Sequence, residues 1–471
     1  MSPYANDEKG RKQVAKSLKR KRHQTSAKRK QHSSSTKSLL AKRRKRKAIK
    51  PRAKRRAERR KKNNGGLRKT KNRASSSLSQ HVKQTRQAED HSPAEEVIDP
   101  QPWTAQGINL VGFIHAEMGI GESARLAARA IERAEIPFGI LNFPLQVATR
   151  MSDMSWEHKK TEDRSYNTNL FHMNADYMAP AMDHFGRSLF HNRYNIGYWH
   201  WELPDFPEEF VPAFELVQEV WVSSRFVLDS VVQKSPVPVV IIPHGVEVET
   251  SPEVTRESLG LPTDRFLFTM MYDVQSYTHR KNPQAVIEAF RLAFPKNDPT
   301  VGLVLKVNNT NFRPEDIEPL HQLAAEHGNI FIIDRIFSRL EVNSLLSVTD
   351  CFVSLHRAEG FGLGLAEAMY LGKPVIGTNW SGNTDFMNET NSCPVNYELV
   401  QVGTDWGPYQ GYQTWAEPDV HHAAFYMQKL IQEPEWREAI AAQGQHTIHT
   451  SFSPQVVGGM IRARLTELTL L

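Results

Sequence analysis

Two glutamates, Glu359 and Glu367, stand eight residues apart in the stretch HRAEGFGLGLAEAMYLGKPVIG, residues 356–377. Three glycines, Gly360, Gly362 and Gly364, lie between them. A glycine turn opening a helix offers free backbone N–H groups, which attract anions. Carboxylates instead accept hydrogen bonds, which sugar hydroxyls supply and phosphates do not. Amides with an acceptor at each end therefore suit a ligand that joins phosphate to polyols. The plainer alternative is a helix-start carboxylate favoured by the helix dipole, with an unrelated loop glutamate beside it.

Two other stretches have comparable chemistry. YDVQSYTHRKNP, residues 272–283, puts Arg280 and Lys281 just before a helix that Asn282 caps and Pro283 opens. Paired cations at a helix N-terminus suit a diphosphate; a solvated charged loop is the alternative. HAEMGIGESAR, residues 115–125, ends a strand at Gly119 and Gly121, with a helix expected from near Glu122. Those glycines let a ligand approach the backbone, or they simply make a tight strand-to-helix turn. Neither the dinucleotide fingerprint nor a Walker loop fits, because position 124 is alanine and no Gly-Lys-Ser/Thr follows. His172 ends another strand pattern, in FHMNAD. Trp199, Trp201 and Phe206 could stack on sugar rings at a cleft mouth or fill the core.

The elements that must hold these residues alternate. Strand patterns INLVGFIHA, FGILNF, NLFHMNAD, YNIGYWHWE, EVWVSS and VPVVIIPHG form a first series, and FLFTMMYDV, VGLVLKVN, NIFIIDR, CFVSLHR and PVIGTN a second. Helix-like or loop segments separate them, which predicts two parallel sheets covered on both faces. A capping box, Ser338 with Glu341, starts one helix, and DVHHAAFYMQKLIQ reads as another near the C-terminus. In such sheets ligands sit outside the carboxyl ends of the strands.

Charge divides the chain unevenly. Residues 1–100 hold 33 Lys and Arg against 8 Asp and Glu, while the remainder is net acidic, so the overall +8 describes neither part. Self-repulsion and scarce apolar residues predict a disordered tail. Its readings are a solvated extension, attachment of residues 9–73 to an anionic membrane surface, or phosphate-directed nucleic-acid binding without sequence preference. Only two cysteines occur, Cys351 and Cys393, too few for a disulfide framework or a structural zinc site. A reducing, cytoplasmic location is expected, with peripheral attachment to the cytoplasmic membrane face as an option. No apolar leader is seen near the N-terminus, and no run approaches the roughly 20 apolar residues needed to span a bilayer.

EGFGLGLAEAM followed by GKPVIGTNWSGNTDF resembles the glutamate–x7–glutamate signature of family 4 glycosyltransferases, the glycosyltransferase group 1 type. GIGESAR, VVIIPHGVE and RKNPQAVIEAF fall in that family's order, over roughly residues 106–465. The resemblance implies the GT-B fold: two facing Rossmann-like doubly wound domains. They are expected at 101–250, joined by a C-terminal helix 452–471, and at 251–451. It also implies transfer of a sugar from a nucleotide-diphosphate sugar to a glycan or lipid-linked acceptor, with retention of configuration, no cofactor and no metal.

Roles follow by the same resemblance. Glu359 would bond the transferred sugar and Glu367 the ribose. Phe361, Gly362, Leu363 and Gly364 would line sugar and diphosphate. Lys281 would neutralise the leaving diphosphate, with Arg280 standing in for a basic residue that is Ser276 here. Gly119 and Gly121 would close over the donor. His200 or Glu202 would reach the reacting sugar, with His172 and Trp199 as further acceptor-side candidates. Two other readings stay open: a non-catalytic nucleotide- or polyanion-binding protein acting through its tail, and another GT-B enzyme such as an epimerase or phosphorylase.

Overall fold

The computed structural model describes residues 105–144 and 149–471; the basic tail, with its predicted disorder and its membrane or nucleic-acid readings, lies outside them. Six parallel strands build the first sheet: β1 (Ala105–Gly112), β2 (Phe138–Asn142), β3 (Tyr166–His172), β4 (Tyr194–Tyr198), β5 (Glu219–Val222) and β6 (Val239–Ile241). Their order is β2-β1-β3-β4-β5-β6. The second sheet contains β7 (Phe266–Asp273), β8 (Val301–Asn308), β9 (Ile330–Ile333), β10 (Cys351–Ser354), β11 (Val375–Thr378) and β12 (Cys393–Val395). These run β12-β11-β10-β7-β8-β9. The interior LVLKV of β8 is buried, its lysine Lys306 included, as a sheet covered on both faces requires. Cys351 and Cys393 are free thiols in that core, and burial raises the pKa of both.

Local signals explain most helix starts. Asn282 takes a left-handed conformation, φ 55°, and its side chain accepts from Ala285 N at 3.4 Å, so Pro283–Ala293 begins where proline and cap coincide. Ser338 and Glu341 form the expected capping box on Arg339–Val348. Asp419 caps Val420–Gln432 by accepting from His421 N and His422 N.

The first glycine motif differs from expectation. The helix spans Gly119–Arg133, so both glycines lie inside its first turn rather than ahead of it. A Cβ at Gly121 would stand 2.1 Å from the Ala116 carbonyl oxygen, so the chain's own backbone requires that glycine, whereas nothing lies within 4 Å of a Cβ at Gly119.

Two links join the halves, one before β7 and one after the helix Pro434–Ser451, and they touch where Val246 N donates to Phe452 O at 2.7 Å. The last helix, Pro454–Glu467, returns to the first half. Gly458 lets it sit against the Ala130 carbonyl of Gly119–Arg133, and Arg464 pairs with the fully buried Glu219 of β5 at 2.5 and 3.0 Å. An antiparallel hairpin, β13 (Tyr397–Gln401) with β14 (Thr414–Pro418), projects from the second half. Its strands carry no distinctive pattern, and the intervening polar, glycine-containing loop conceals the pairing in the sequence. Among the described residues, no helix is long and apolar enough to cross a membrane.

Candidate active site

Strand order reverses between β10 and β7 in the second sheet and between β1 and β3 in the first. The crevice outside the carboxyl ends at such a reversal is where ligands bind in open α/β sheets. Each sequence motif leaves one of these four strands: Arg280 and Lys281 follow β7, Glu359 to Glu367 follow β10, GIGES follows β1, and His172 ends β3.

In the second half the charges converge. Lys281 Nζ bonds Glu359 Oε1, and Arg280 Nη1 lies 3.4 Å from Glu359 Oε2 while donating to the Ala358 carbonyl at 2.8 Å. Burial pushes the Glu359 carboxyl up, but Lys281 and Arg280 outweigh it and hold the group at about 2. Burial also lowers the Lys281 ammonium, which Glu359 only partly offsets. Ser381 Oγ accepts from Glu359 N at 2.9 Å and fixes the loop. Gly362, φ 92°, is the helix cap itself, so Leu363 and Gly364 already belong to the helix Leu363–Tyr370 and its first amides face the crevice end. The Phe361 side chain is buried and packs edge-on against His244 of the other half, ring centroids 4.8 Å apart.

Glu367, one turn further, is buried and paired with Arg339. Arg339 Nε also lies 3.2 Å from Glu122 Oε1 in the first helix of the N-terminal half. Arg125 holds Glu122 from the other side at 2.9 Å. An ion-pair chain therefore ties the two halves at this end of the crevice. The halves also meet where Ser224 Oγ donates to Gly360 O at 2.7 Å and Arg225 N donates to Asp385 Oδ2 at 2.8 Å.

The first half presents a different cluster. Ser123 Oγ lies 2.5 Å from His172 Nε2, 3.2 Å from His200 Nε2 and 3.4 Å from His244 Nδ1. Tyr198 stacks on His172 and donates to Ile242 O at 2.7 Å. Burial holds His200 down at about 4 and both His172 and His244 well below their usual range, so all three are neutral near pH 7.

Several expectations are corrected here. His172 is fully buried beneath this cluster and does not reach an acceptor. Trp199, Trp201 and Phe206 are at most 2% exposed and pack on one another and on Phe214, so none presents a face to a sugar. Core packing won over stacking because both tryptophans lie within three residues of the end of β4. His200 and Glu202, alternatives in the sequence, go to different places: His200 joins the histidines, while Glu202 faces Arg280 at 3.9 Å.

Sequence reasoning missed Ser123, His244 and Arg339. For Arg339 the capping box marked the helix start but not the partner of its side chain. Ser123 and His244 carried only their positions, one in GIGES and one in IIPHG, each just past a strand.

Residues 253–447 match the family described as glycosyl transferases group 1. No curated protein sequence matches the chain. Among solved structures, the chain is similar to sucrose-phosphate synthase from Thermosynechococcus elongatus, with TM-score 0.57 and 14% identity, over 77% of this chain and 99% of that one. HepE from Anabaena, solved with UDP and glucose, gives TM-score 0.54 and 14% identity over 77% and 100%. A glycosyltransferase from Rickettsia africae gives 0.53 and 14% over 78% and 99%. At these identities the likeness establishes the two-domain GT-B fold. The chain thus has the GT-B fold, and its residues 253–447 match the glycosyl transferases group 1 family.

Proposed function

We propose that this chain transfers a sugar from a nucleotide-diphosphate sugar to a hydroxyl of a glycan or lipid-linked acceptor, with retention of anomeric configuration. The observation that carries this reading is the convergence of Lys281, Arg280 and Glu359 at the strand reversal of the second sheet. In the reaction the bond from the sugar's anomeric carbon to the diphosphate breaks, a bond to the acceptor oxygen forms, and the acceptor proton leaves with the diphosphate. Positive charge grows on the sugar and negative charge on the leaving group. Lys281, Arg280 and the amides opening Leu363–Tyr370 stabilise the latter, as fixed dipoles and charges do when they face developing charge. Glu359, ionised and held by two cations, accepts from sugar hydroxyls and faces the developing positive charge.

Glu367 accepts from the ribose, with Arg339 orienting it. Gly119, open on the side where a Cβ would project, leaves room for donor at the first helix. His200, neutral at working pH, serves as a hydrogen-bonding partner near the transferred sugar rather than as a charged acid. The backbone amides and two cations suffice to hold a diphosphate, so no metal or cofactor is assigned. UDP in the HepE structure makes UDP sugars the first donors to try.

The test is a screen of nucleotide sugars for thermal stabilisation, followed by NMR of the product. Stabilisation by one donor, release of its nucleoside diphosphate and an axial product from an axial donor are expected. A chain that neither binds nor consumes any nucleotide sugar sinks the reading, and an inverted product sinks retention alone.

A further inference from the structure

The hairpin β13–β14 does not belong to either sheet, yet it reaches from the loop before Glu359 to the other half. Its base is clamped to the loop after β10: Arg357, two residues before Glu359, donates to both oxygens of Glu417 at 2.6 and 3.0 Å, and Ala416 N donates to Arg357 O at 3.0 Å. Its tip crosses to the other half. Tyr412 and Gln413 donate to Asp205 at 3.3 and 2.9 Å. Trp406 stacks on His279 with ring centroids 3.8 Å apart, and Gly407, φ 57°, lets the Tyr277 hydroxyl approach where any Cβ would clash.

Between these anchors Tyr409 is buried. Its hydroxyl donates to Glu202 Oε2 at 3.0 Å, its ring packs on Trp201 and Tyr277, and the Arg280 guanidinium carbon lies 5.9 Å from its ring centroid. Glu202 Oε1 stops 3.9 Å from Arg280 Nη2, beyond hydrogen-bond range, while Arg280 keeps its Nη1 at Ala358 and Glu359. A carboxylate and a guanidinium left side by side in a buried site would close into a two-bond pair. The phenol holds the carboxylate by its Oε2, turned toward Tyr409.

We propose that Tyr409 is a positioning residue for the transfer centre: by holding Glu202 away from Arg280, it leaves the guanidinium aimed at Glu359 and the diphosphate. The inference rests on the transferase reading for its consequence in rate, but not for its consequence in nucleotide affinity. Without the hydroxyl, Glu202 pairs fully with Arg280 and draws the cation off. Neutralising Glu202 removes that competitor, so the phenol then has nothing to restrain.

The experiment compares the full chain with Tyr409→Phe, Glu202→Gln and the double variant, measuring UDP affinity by calorimetry, kcat and KM for the donor found in the screen, and melting temperature. Tyr409→Phe keeps the ring and the packing, so its melting temperature stays close to that of the parent. It is expected to lower kcat about tenfold, the scale of one charge-assisted hydrogen bond, and to weaken UDP binding. Glu202→Gln in the Tyr409→Phe background is expected to restore both. A purely structural role for Tyr409 predicts instead that the two losses add, and additivity overturns the proposal. So does wild-type UDP affinity in Tyr409→Phe, even if the parent turns over no donor; absence of turnover with rescue of UDP affinity in the double variant removes the transferase reading and keeps this one.

Discussion

The two halves place their key residues at equivalent points of their sheets, yet with opposite chemistry. At β7 and β10 the second half gathers full charges, with Glu359 paired to both Lys281 and Arg280, which leaves one positive charge in excess. At β1 and β3 the first half gathers neutral polar groups around one hydroxyl, Ser123 with His172, His200 and His244. A Rossmann-like switch point thus sets where a ligand sits but not how it is held. The charged cluster is suited to a diphosphate, and the neutral one to groups that offer hydroxyls rather than charge.

Three perturbations separate these two regimes. The largest effect is expected from Lys281→Ala, which should lower kcat by about a hundredfold or more, the scale of removing one donor from developing negative charge. Its fold should survive by circular dichroism; turnover near the parent's would detach Lys281 from the diphosphate. Next comes acid. Unfolded histidines take up protons near 6.5, which His200, at about 4, and its two neighbours resist when folded. Stability should therefore fall as pH drops from 6.5 toward 4, by about 1.4 kcal/mol per pH unit for each such histidine. Glu359 acts lower: its depressed carboxyl contributes stability above 4.5 that is lost as pH falls toward 2. Denaturant titrations across pH should show the earlier decline flattened by His200→Asn and the later one by Glu359→Gln; one decline confined below 4.5 would contradict the histidine account. Smallest is Gly119→Ala, which should change stability by no more than about 0.5 kcal/mol because no atom opposes its Cβ. Gly121→Ala should cost clearly more, and equal losses in thermal melts would show that both glycines serve packing alone.

Legibility followed the same divide. Charged residues announce themselves: Glu359, Glu367, Arg280 and Lys281 were singled out from their positions beside glycine turns and caps, and the structure brings three of them into one cluster. The fourth, Glu367, turned out to be held by Arg339, a partner 28 residues away that no local pattern indicates. Strands β1 to β11 were readable because each is a short apolar run between turn signals. The hairpin was not, since its pairing is hidden behind a polar, glycine-containing loop. For the aromatic residues the sequence leaves core and sugar face both open, because an indole next to a strand gains from either, and the structure takes the core. The histidine cluster was illegible because its members come from four separated segments, joined only when the sheet forms.

One further consequence follows from the route of the chain. The polypeptide leaves the first half after β6, builds the whole second half, and re-enters beside its exit, where Val246 meets Phe452. Topologically the second half is an insert within the first. On the ribosome, the apolar flank of Gly119–Arg133 therefore emerges long before Pro454–Glu467, the helix that covers it, and Glu219 waits as long for Arg464. The half whose strands emerge first is therefore completed last, by the helix Pro454–Glu467.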